Sequence, residues 1–360
     1  MQRLGLVGLA NAGKSSLFNA LTGAHVPVAA HAFSTVETSV GVAPLPDARL
    51  EALAELSHSA KVVRAGVEFV DIAGLVAGAS TGEGMGNRFL AGIREVDALV
   101  VVLRAFKDEA VSGPDDPLES LETLELELVL ADVASLESQS EKRRKQARLK
   151  GDSSLAAEAD AIDAAMEVLQ AGTPLFRSPL PAAVRSRLHN SFLLTEKPVL
   201  AVVNVGEDQL DDLDSPVGPV ADHLGEAGGT IGVCVQLEAE AAQLEPAGRA
   251  ELLEGLGLGD GVVPKVARAA FELIGLRTFL TTGDKESRAW IFRAGALAPE
   301  CAGVIHSDLQ RGFIRAEVIH WDELLDLGGW NEAKAAGKLR VEGKDYPVKD
   351  GDVLEIRFNV

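Results

Sequence analysis

A chain of 360 residues, 47% hydrophobic and 24% charged, is long enough to bury the cores of two or three domains. Its 34 basic and 54 acidic residues leave a formal charge of −20, which excludes bulk attraction to nucleic acid and leaves any such contact to a local basic patch. The two cysteines, Cys234 and Cys301, lie far apart without metal-ligand spacing, which excludes a zinc site and a disulfide framework and fits a reducing compartment.

The opening stretch MQRLGLVGLANAGK has no unbroken apolar run of the kind a signal peptide needs. The runs LVVVL and PVLAVVNV are far too short to span a bilayer. A cytoplasmic protein with no membrane partner is expected.

Residues 4–8, LGLVG, read as a short buried strand. Gly8-Leu9-Ala10-Asn11-Ala12-Gly13-Lys14-Ser15 follows, a full G-x-x-x-x-G-K-S pattern, and then a helix ending at Gly23. Strand, glycine loop and helix in that order are the context a phosphate-binding loop requires. Glycines at 8 and 13 let backbone N–H groups turn inward around phosphates, and the helix N-terminus adds its dipole. Lys14 places a point charge on the β- and γ-phosphates, and the Ser15 hydroxyl ligates Mg²⁺.

Phe33-Ser34-Thr35-Val36-Glu37 precedes the stretch VGVAPLP, and Thr35 can place its hydroxyl on Mg²⁺ when a triphosphate is bound. Residues 67–71, VEFVD, form a predicted strand ending in Asp71, followed by Ile72-Ala73-Gly74. That pairs a carboxylate on the Mg²⁺ side with a backbone N–H that senses the γ-phosphate. The glycine-rich stretch from Leu75 to Phe89 reads either as a segment that changes order with the nucleotide or as an ordinary surface loop.

Ala98–Leu103 and Pro198–Val203 read as buried parallel strands, and Gly232–Val235 as a third piece completing the pocket wall. The second ends in Asn204-Val205-Gly206-Glu207. GTPases end that strand with Asn-Lys-x-Asp, whose aspartate reads guanine. Val205 and Glu207 stand in place of the lysine and aspartate, which weighs against guanine selectivity.

Between these strands, leucines at helical spacing from about Pro117 to Arg148, a GDSS turn at 151–154 and a second helical pattern through Ile162, Met166 and Leu169 predict an inserted antiparallel helical hairpin. Near its turn sit Lys142, Arg143, Arg144, Lys145, Arg148 and Lys150, either a solvated helix face or an attachment to RNA phosphates. No interleaved aromatics support base stacking there. Beyond about residue 276 short strand-like runs and tight turns predict a small mixed domain that acts as a binding module.

GLANAGKSSLFNALTG, DIAGLVAGASTGEGMGNRFLAGIREVDALVVVLR, NVGE and the tail from LRTFLTTGDKESRAW to EGKDYPVKDGDVLEIRFNV resemble the YchF family of Obg-like ATPases from end to end. The resemblance implies an α/β fold: a P-loop NTPase of Ras-like G-domain type over 1–276, interrupted at about 122–195 by a coiled-coil arm, then a β-grasp TGS domain over 277–360. It implies Mg²⁺-dependent ATP hydrolysis, with GTP also accepted by some members, and association with the ribosome. The alternatives are a guanine-nucleotide switch and a nucleotide-gated scaffold that does not hydrolyse.

On the matching positions, Lys14, Thr35 and Gly74 serve catalysis, and Asn11, Ala12, Gly13, Lys14, Ser15, Ser16, Asn204 and Glu207 bind nucleotide. Ser15, Thr35 and Asp71 hold the metal. Asn11 matches an asparagine that coordinates K⁺ in related cation-activated GTPases, where the ion stands in for an arginine finger. Leu75 occupies the place of a water-orienting glutamine, so slow intrinsic hydrolysis is expected, accelerated by a partner or by ordering of the glycine-rich stretch. Ala10 and Ala12 depart from the usual proline and valine without removing a ligand, and Cys234-Val235 replaces a Ser-Ala pair that supports the base in GTPases.

Overall fold

The computed structural model describes residues 2–24, 38–72, 85–108, 111, 113–256, 258–259 and 261–359. The chain begins with β1 (Arg3–Val7), α1 (Lys14–Thr22), β2 (Ser39–Pro44), α2 (Ala48–Leu56), β3 (Val62–Val63) and β4 (Gly66–Asp71). Next come α3 (Met85–Arg94), β5 (Ala98–Arg104), α4 (Pro117–Lys150), α5 (Ser153–Gln170), α6 (Ala182–Leu188) and β6 (Val199–Asn204). Then follow α7 (Asp214–Leu224), β7 (Gly228–Val233), α8 (Val235–Ala241), α9 (Pro246–Gly255) and α10 (Val263–Leu273). The remainder is β8 (Leu276–Thr281), β9 (Ser287–Arg293), α11 (Ala298–Ile305), α12 (Ser307–Arg311), β10 (Phe313–His320), α13 (Trp321–Leu327), α14 (Trp330–Ala335), β11 (Arg340–Glu342) and β12 (Asp352–Phe358).

Two compact units result, one of Met1–Ala43 with Glu68–Leu273, the other of Pro44–Val67 with Ile274–Val360. The first holds a sheet of order β2-β4-β1-β5-β6-β7, in which β1 pairs with β4 and β5, β5 with β6, and β6 with β7, all in parallel. Every residue of β5 and β6 is buried. Helices explain why: Phe89 and Ile93 of α3, Leu121, Leu124 and Leu128 of α4, and Val220 and Leu224 of α7 share one core with the strands, and α10 packs against β5, β6 and β7. A sheet with crossover helices on its faces has no solvated side, hence the continuous apolar runs.

The predicted strand at Gly232–Val235 is displaced. β7 runs Gly228–Val233 and Cys234 is already the N-cap of α8. Its three glycines, at 228, 229 and 232, break up the β-branched signal of Thr230, Ile231 and Val233, but pairing with β6 at every position from Gly228 to Val233 supplies what propensity does not.

The inserted hairpin is present as α4 and α5. Asp116 accepts the N–H groups of Leu118 and Glu119, Pro117 takes the first helical position, and Gly151 closes the helix at φ 62°. Asp152 then caps α5 through Ser154 and Leu155. An apolar seam of Val129, Leu136, Ile162, Ala165 and Leu169 joins the helices near the root. Beyond Leu136 the links are polar: Ser140 donates to Asp163 at 2.9 Å, Arg143 pairs with Glu158 at 3.5 Å, and Arg144 pairs with Asp163. Solvent-exposed pairs of this kind add only about 0–1 kcal/mol each, so the root carries the stability of the hairpin.

The second unit has a mixed sheet of order β11-β10-β12-β8-β9-β3. β8–β9, β10–β12 and β10–β11 are antiparallel, while β12–β8 and β3–β9 are parallel. Phe279, Phe292, Cys301, Ala302, Phe313, Val318 and Leu354 form its core. The sequence-based division at 276/277 placed Pro44–Val67 in the nucleotide domain; the structure assigns it to this unit instead. Arg49 explains the attachment: it donates to Asp47 at 2.8 Å, to Asp350 at 2.7 Å and to the Thr278 hydroxyl at 2.9 Å. A local pattern predicts a helix but not which core that helix will join. No helix among the described residues is long and apolar enough to cross a membrane.

Candidate nucleotide site

The loop between β1 and α1 has the backbone its glycines predict. Gly8 sits at φ 152°, and a Cβ there would lie 2.3 Å from the Val102 carbonyl oxygen. Gly13 sits at φ 97°, where a Cβ would meet the Asn204 amide nitrogen at 2.4 Å. Any other residue at either position would push the loop away from β5 or β6. Asn11 takes the left-handed conformation at φ 62°, and α1 starts directly after Gly13. The first-turn N–H groups of α1 therefore open toward the loop.

Lys14 is buried and its Nζ donates to the Leu9 carbonyl at 2.8 Å. Burial pulls its pKa down to about 8, against the attraction of Asp71. Asp71, at the end of β4, is 1% exposed and accepts the Ser15 hydroxyl at 2.7 Å through Oδ2. Burial pushes the Asp71 carboxyl up, while Ser15 and Lys14 pull it down. Its Oδ1 is buried with no hydrogen-bond partner among the described residues. A buried carboxylate oxygen left open beside a serine hydroxyl is a donor set that fits a hard divalent cation.

Asn204 ties the site together. Its Nδ2 donates to the Ala12 carbonyl at 3.0 Å and its Oδ1 accepts Val235 N–H at 3.1 Å, joining the phosphate loop to the start of α8. From there a cleft of about 730 Å³ opens, lined by Asn11, Gly13 and Ser16 of the loop and by Phe106, Asp108, Val111, Glu207 and Cys234 from other segments. That volume lies in the range of small-ligand sites. Glu207 is exposed at the start of a short 3₁₀ turn, Glu207–Gln209, held where Gly206 N–H donates to Gln209 Oε1 at 2.8 Å.

The fold thus brings together Asn11, Ala12, Gly13, Lys14, Ser15, Ser16, Asp71, Asn204 and Glu207 around one cleft or its immediate support. Thr35, Gly74, Leu75 and the glycine-rich stretch up to residue 84 lie outside the described residues. Sequence reasoning missed the lining contributed by Phe106, Lys107, Asp108 and Val111 and the arginine that binds the carbonyls at 106, 108 and 111. The one available signal was Arg104 itself, a charge closing the otherwise apolar run ALVVVLR. Of the six cations near the hairpin turn, Arg143 and Arg144 are engaged with α5, while Lys142, Lys145, Arg148 and Lys150 are exposed.

Comparison with known proteins places this geometry among relatives. A profile described as a 50S ribosome-binding GTPase matches residues 3–130, and the profile of a YchF GTPase C-terminal region, described as a protein of unknown function, matches 276–359. The chain is 43% identical over 362 residues to the ribosome-binding ATPase YchF of Bacillus subtilis strain 168, covering 99% of each chain. It is 40% identical to the protein of the same description from Escherichia coli O157:H7, again over 99% of each. Among solved structures, the Schizosaccharomyces pombe YchF GTPase superposes with a TM-score of 0.86 at 30% identity, covering 99% of this chain and 97% of that one.

Proposed function

The chain belongs to the YchF family, and we propose that it is a ribosome-binding ATPase whose hydrolytic site combines Lys14, Ser15 and Asp71 with the cleft lined by Asn11, Gly13 and Ser16 of the same loop. The observation that carries this reading is the buried pair Lys14 and Asp71, a cation and a carboxylate with one oxygen unpartnered among the described residues, set below a glycine loop at a helix N-terminus. Isolated buried charges are costly, and a triphosphate with its metal would satisfy both.

The backbone N–H groups of residues 11–16 cradle the phosphates, and Lys14 leaves the Leu9 carbonyl to bind the β- and γ-oxygens. Ser15 and Asp71 would hold Mg²⁺, which when bound neutralises charge that develops on the phosphates. Thr35 supplies a further metal-side hydroxyl, Gly74 a backbone donor to the γ-phosphate, and Asn11 a ligand for K⁺. Leu75 offers no acceptor to an attacking water, so basal hydrolysis is slow and a partner speeds it. The base lies between the Phe106 loop and the turn at Glu207. The remaining parts are a coiled-coil arm formed by α4 and α5 and a C-terminal TGS domain of β-grasp type. Lys142, Lys145, Arg148 and Lys150 attach the arm to ribosomal RNA phosphates, and the protein works in the cytoplasm.

Calorimetric titration of nucleotide-free protein with ATP and with GTP, each with Mg²⁺, tests the assignment. ATP binding tighter by about tenfold, or 1.4 kcal/mol, is expected. Tighter GTP binding would establish Glu207 as a reader of guanine and the protein as a guanine-nucleotide switch.

A further inference from the structure

Arg104 closes β5 and is only 4% exposed. Its guanidinium turns back on the segment that follows. Nε donates to the Phe106 carbonyl at 3.0 Å, Nη1 to the Val111 carbonyl at 2.9 Å and Nη2 to the Asp108 carbonyl at 3.2 Å. The same group lies over the Phe106 ring, 4.7 Å from its centroid. Among the described residues no carboxylate forms an ion pair with it.

A buried guanidinium compensated, among the described residues, by main-chain carbonyls and one aromatic ring is an expensive way to support a surface loop, since an apolar side chain could fill the same volume without desolvating a charge. What the arrangement provides is shape. Three carbonyls, at positions 106, 108 and 111, converge on one planar fork, which fixes those three residues relative to one another. The segment is tied at its start as well: Ala105 and Phe106 N–H groups both donate to the Asn204 carbonyl, and Gln209 Nε2 donates to the Ala105 carbonyl at 3.3 Å. At its far end Gly113, at φ 115°, comes so near the phosphate loop that a Cβ there would lie 3.5 Å from the Ala10 carbonyl. Phe106, Lys107, Asp108 and Val111 line the cleft from this arch.

We propose that Arg104 is a positioning residue that holds Phe106, Asp108 and Val111 in their nucleotide-receiving places, setting the affinity for the nucleoside part of the substrate and not for its phosphates. The proposal rests on the reading above that the base occupies the Phe106–Glu207 end of the cleft. Pre-organising a wall removes an ordering cost from binding. Arg104 touches no reacting atom, and the phosphate loop, Lys14, Ser15 and Asp71 make their contacts without it.

The test compares ATP with inorganic tripolyphosphate, which engages the phosphate end alone, in the full chain. Arg104→Met is expected to raise the KM for ATP about tenfold, the scale of a lost charged hydrogen-bond network, with kcat within about twofold and the inhibition constant of tripolyphosphate unchanged. Arg104→Lys is expected not to rescue, because one ammonium cannot span three carbonyls fixed to a planar fork. Phe106→Ala should reproduce the ATP defect, and the double variant should fall short of additivity. That pair also serves if Arg104→Met does not fold, since Arg104→Lys and Phe106→Ala then carry the comparison. An unchanged KM for ATP in Arg104→Met or Arg104→Lys overturns the proposal, as does an equal loss of ATP and tripolyphosphate. If Phe106→Ala and Glu207→Asp both leave ATP and GTP binding untouched while Lys14→Met abolishes it, the base lies elsewhere, and the underlying reading of the cleft fails instead.

Discussion

In the proposed nucleotide site, nearly every atom assigned to the phosphates comes from one continuous stretch, Gly8 to Ser16, with Asp71 brought in by the neighbouring strand β4. At the base end the wall is assembled from segments far apart in the chain, around Phe106, Glu207 and Cys234, and cross-linked by the side chains of Arg104, Asn204 and Gln209. The first end is a main-chain device, fixed by two glycine conformations and a helix start. The second is a side-chain assembly whose shape depends on tertiary neighbours. Damage to the first should appear in turnover and in affinity for phosphates, and damage to the second in affinity for the nucleoside and in selectivity.

The sharpest test of that contrast is Lys14→Met, expected to lower kcat/KM for ATP by on the order of a hundredfold to a thousandfold in steady-state phosphate release, as loss of a charge donor at a developing anion does. A loss under tenfold would erase the distinction. Asn204→Ala should affect both ends, since it frees the Ala12 carbonyl and the Val235 N–H together. Thermal unfolding should report about 1–3 kcal/mol less stability, with weaker binding of ATP and tripolyphosphate alike.

Acidity separates the ends next. The Lys14 pKa is about 8 without nucleotide, and bound phosphates favour its charged form, so binding above that pH takes up a proton. ATP affinity is therefore full below about pH 8 and falls as pH rises through it, by up to about tenfold per unit. Calorimetry across pH 7–10 in buffers of different ionisation heat checks both the fall and the proton uptake; a flat profile would place Lys14 off the phosphates. Glu207→Asp should move the ratio of ATP to GTP affinity toward GTP by about threefold to tenfold, read by competition, with kcat little changed. The smallest expected effect lies outside the cleft. Lys145→Gln should leave ATP turnover intact and reduce the salt slope of ribosome co-sedimentation by roughly 0.7–0.9, one phosphate contact. No change in slope would make the exposed arm cations a solvated face.

The strand, glycine loop and helix of the proposed phosphate site were legible because such a loop demands residue types at fixed short spacing. A G-x-x-x-x-G-K-S run between a strand and a helix leaves little else for Lys14 and Ser15 to do, and Asp71 at a strand end completes the pair. The hairpin was legible for a similar reason, with leucine periodicity, Asp116-Pro117 at the start and Gly151-Asp152 at the turn. β7 was misplaced by four residues at its start, Gly228 against Gly232, because a glycine-rich strand carries its evidence in its partner. Pro44–Val67 was assigned to the wrong unit because the three contacts that hold Arg49 include two, Thr278 and Asp350, more than two hundred residues away along the chain.

By itself the sequence determined the glycine loop between strand and helix, the apolar strands beneath it and the helical insertion, since each follows from local backbone geometry or from periodicity within one segment. Only the tertiary structure decided that Asn204 spans the glycine loop and α8, that Arg104 gathers the carbonyls of Phe106, Asp108 and Val111, and that residues 44–67 join the C-terminal sheet. Each of those depends on a side chain finding partners brought near by sheet order, and sheet order is a property of the whole chain that no short window of residues contains.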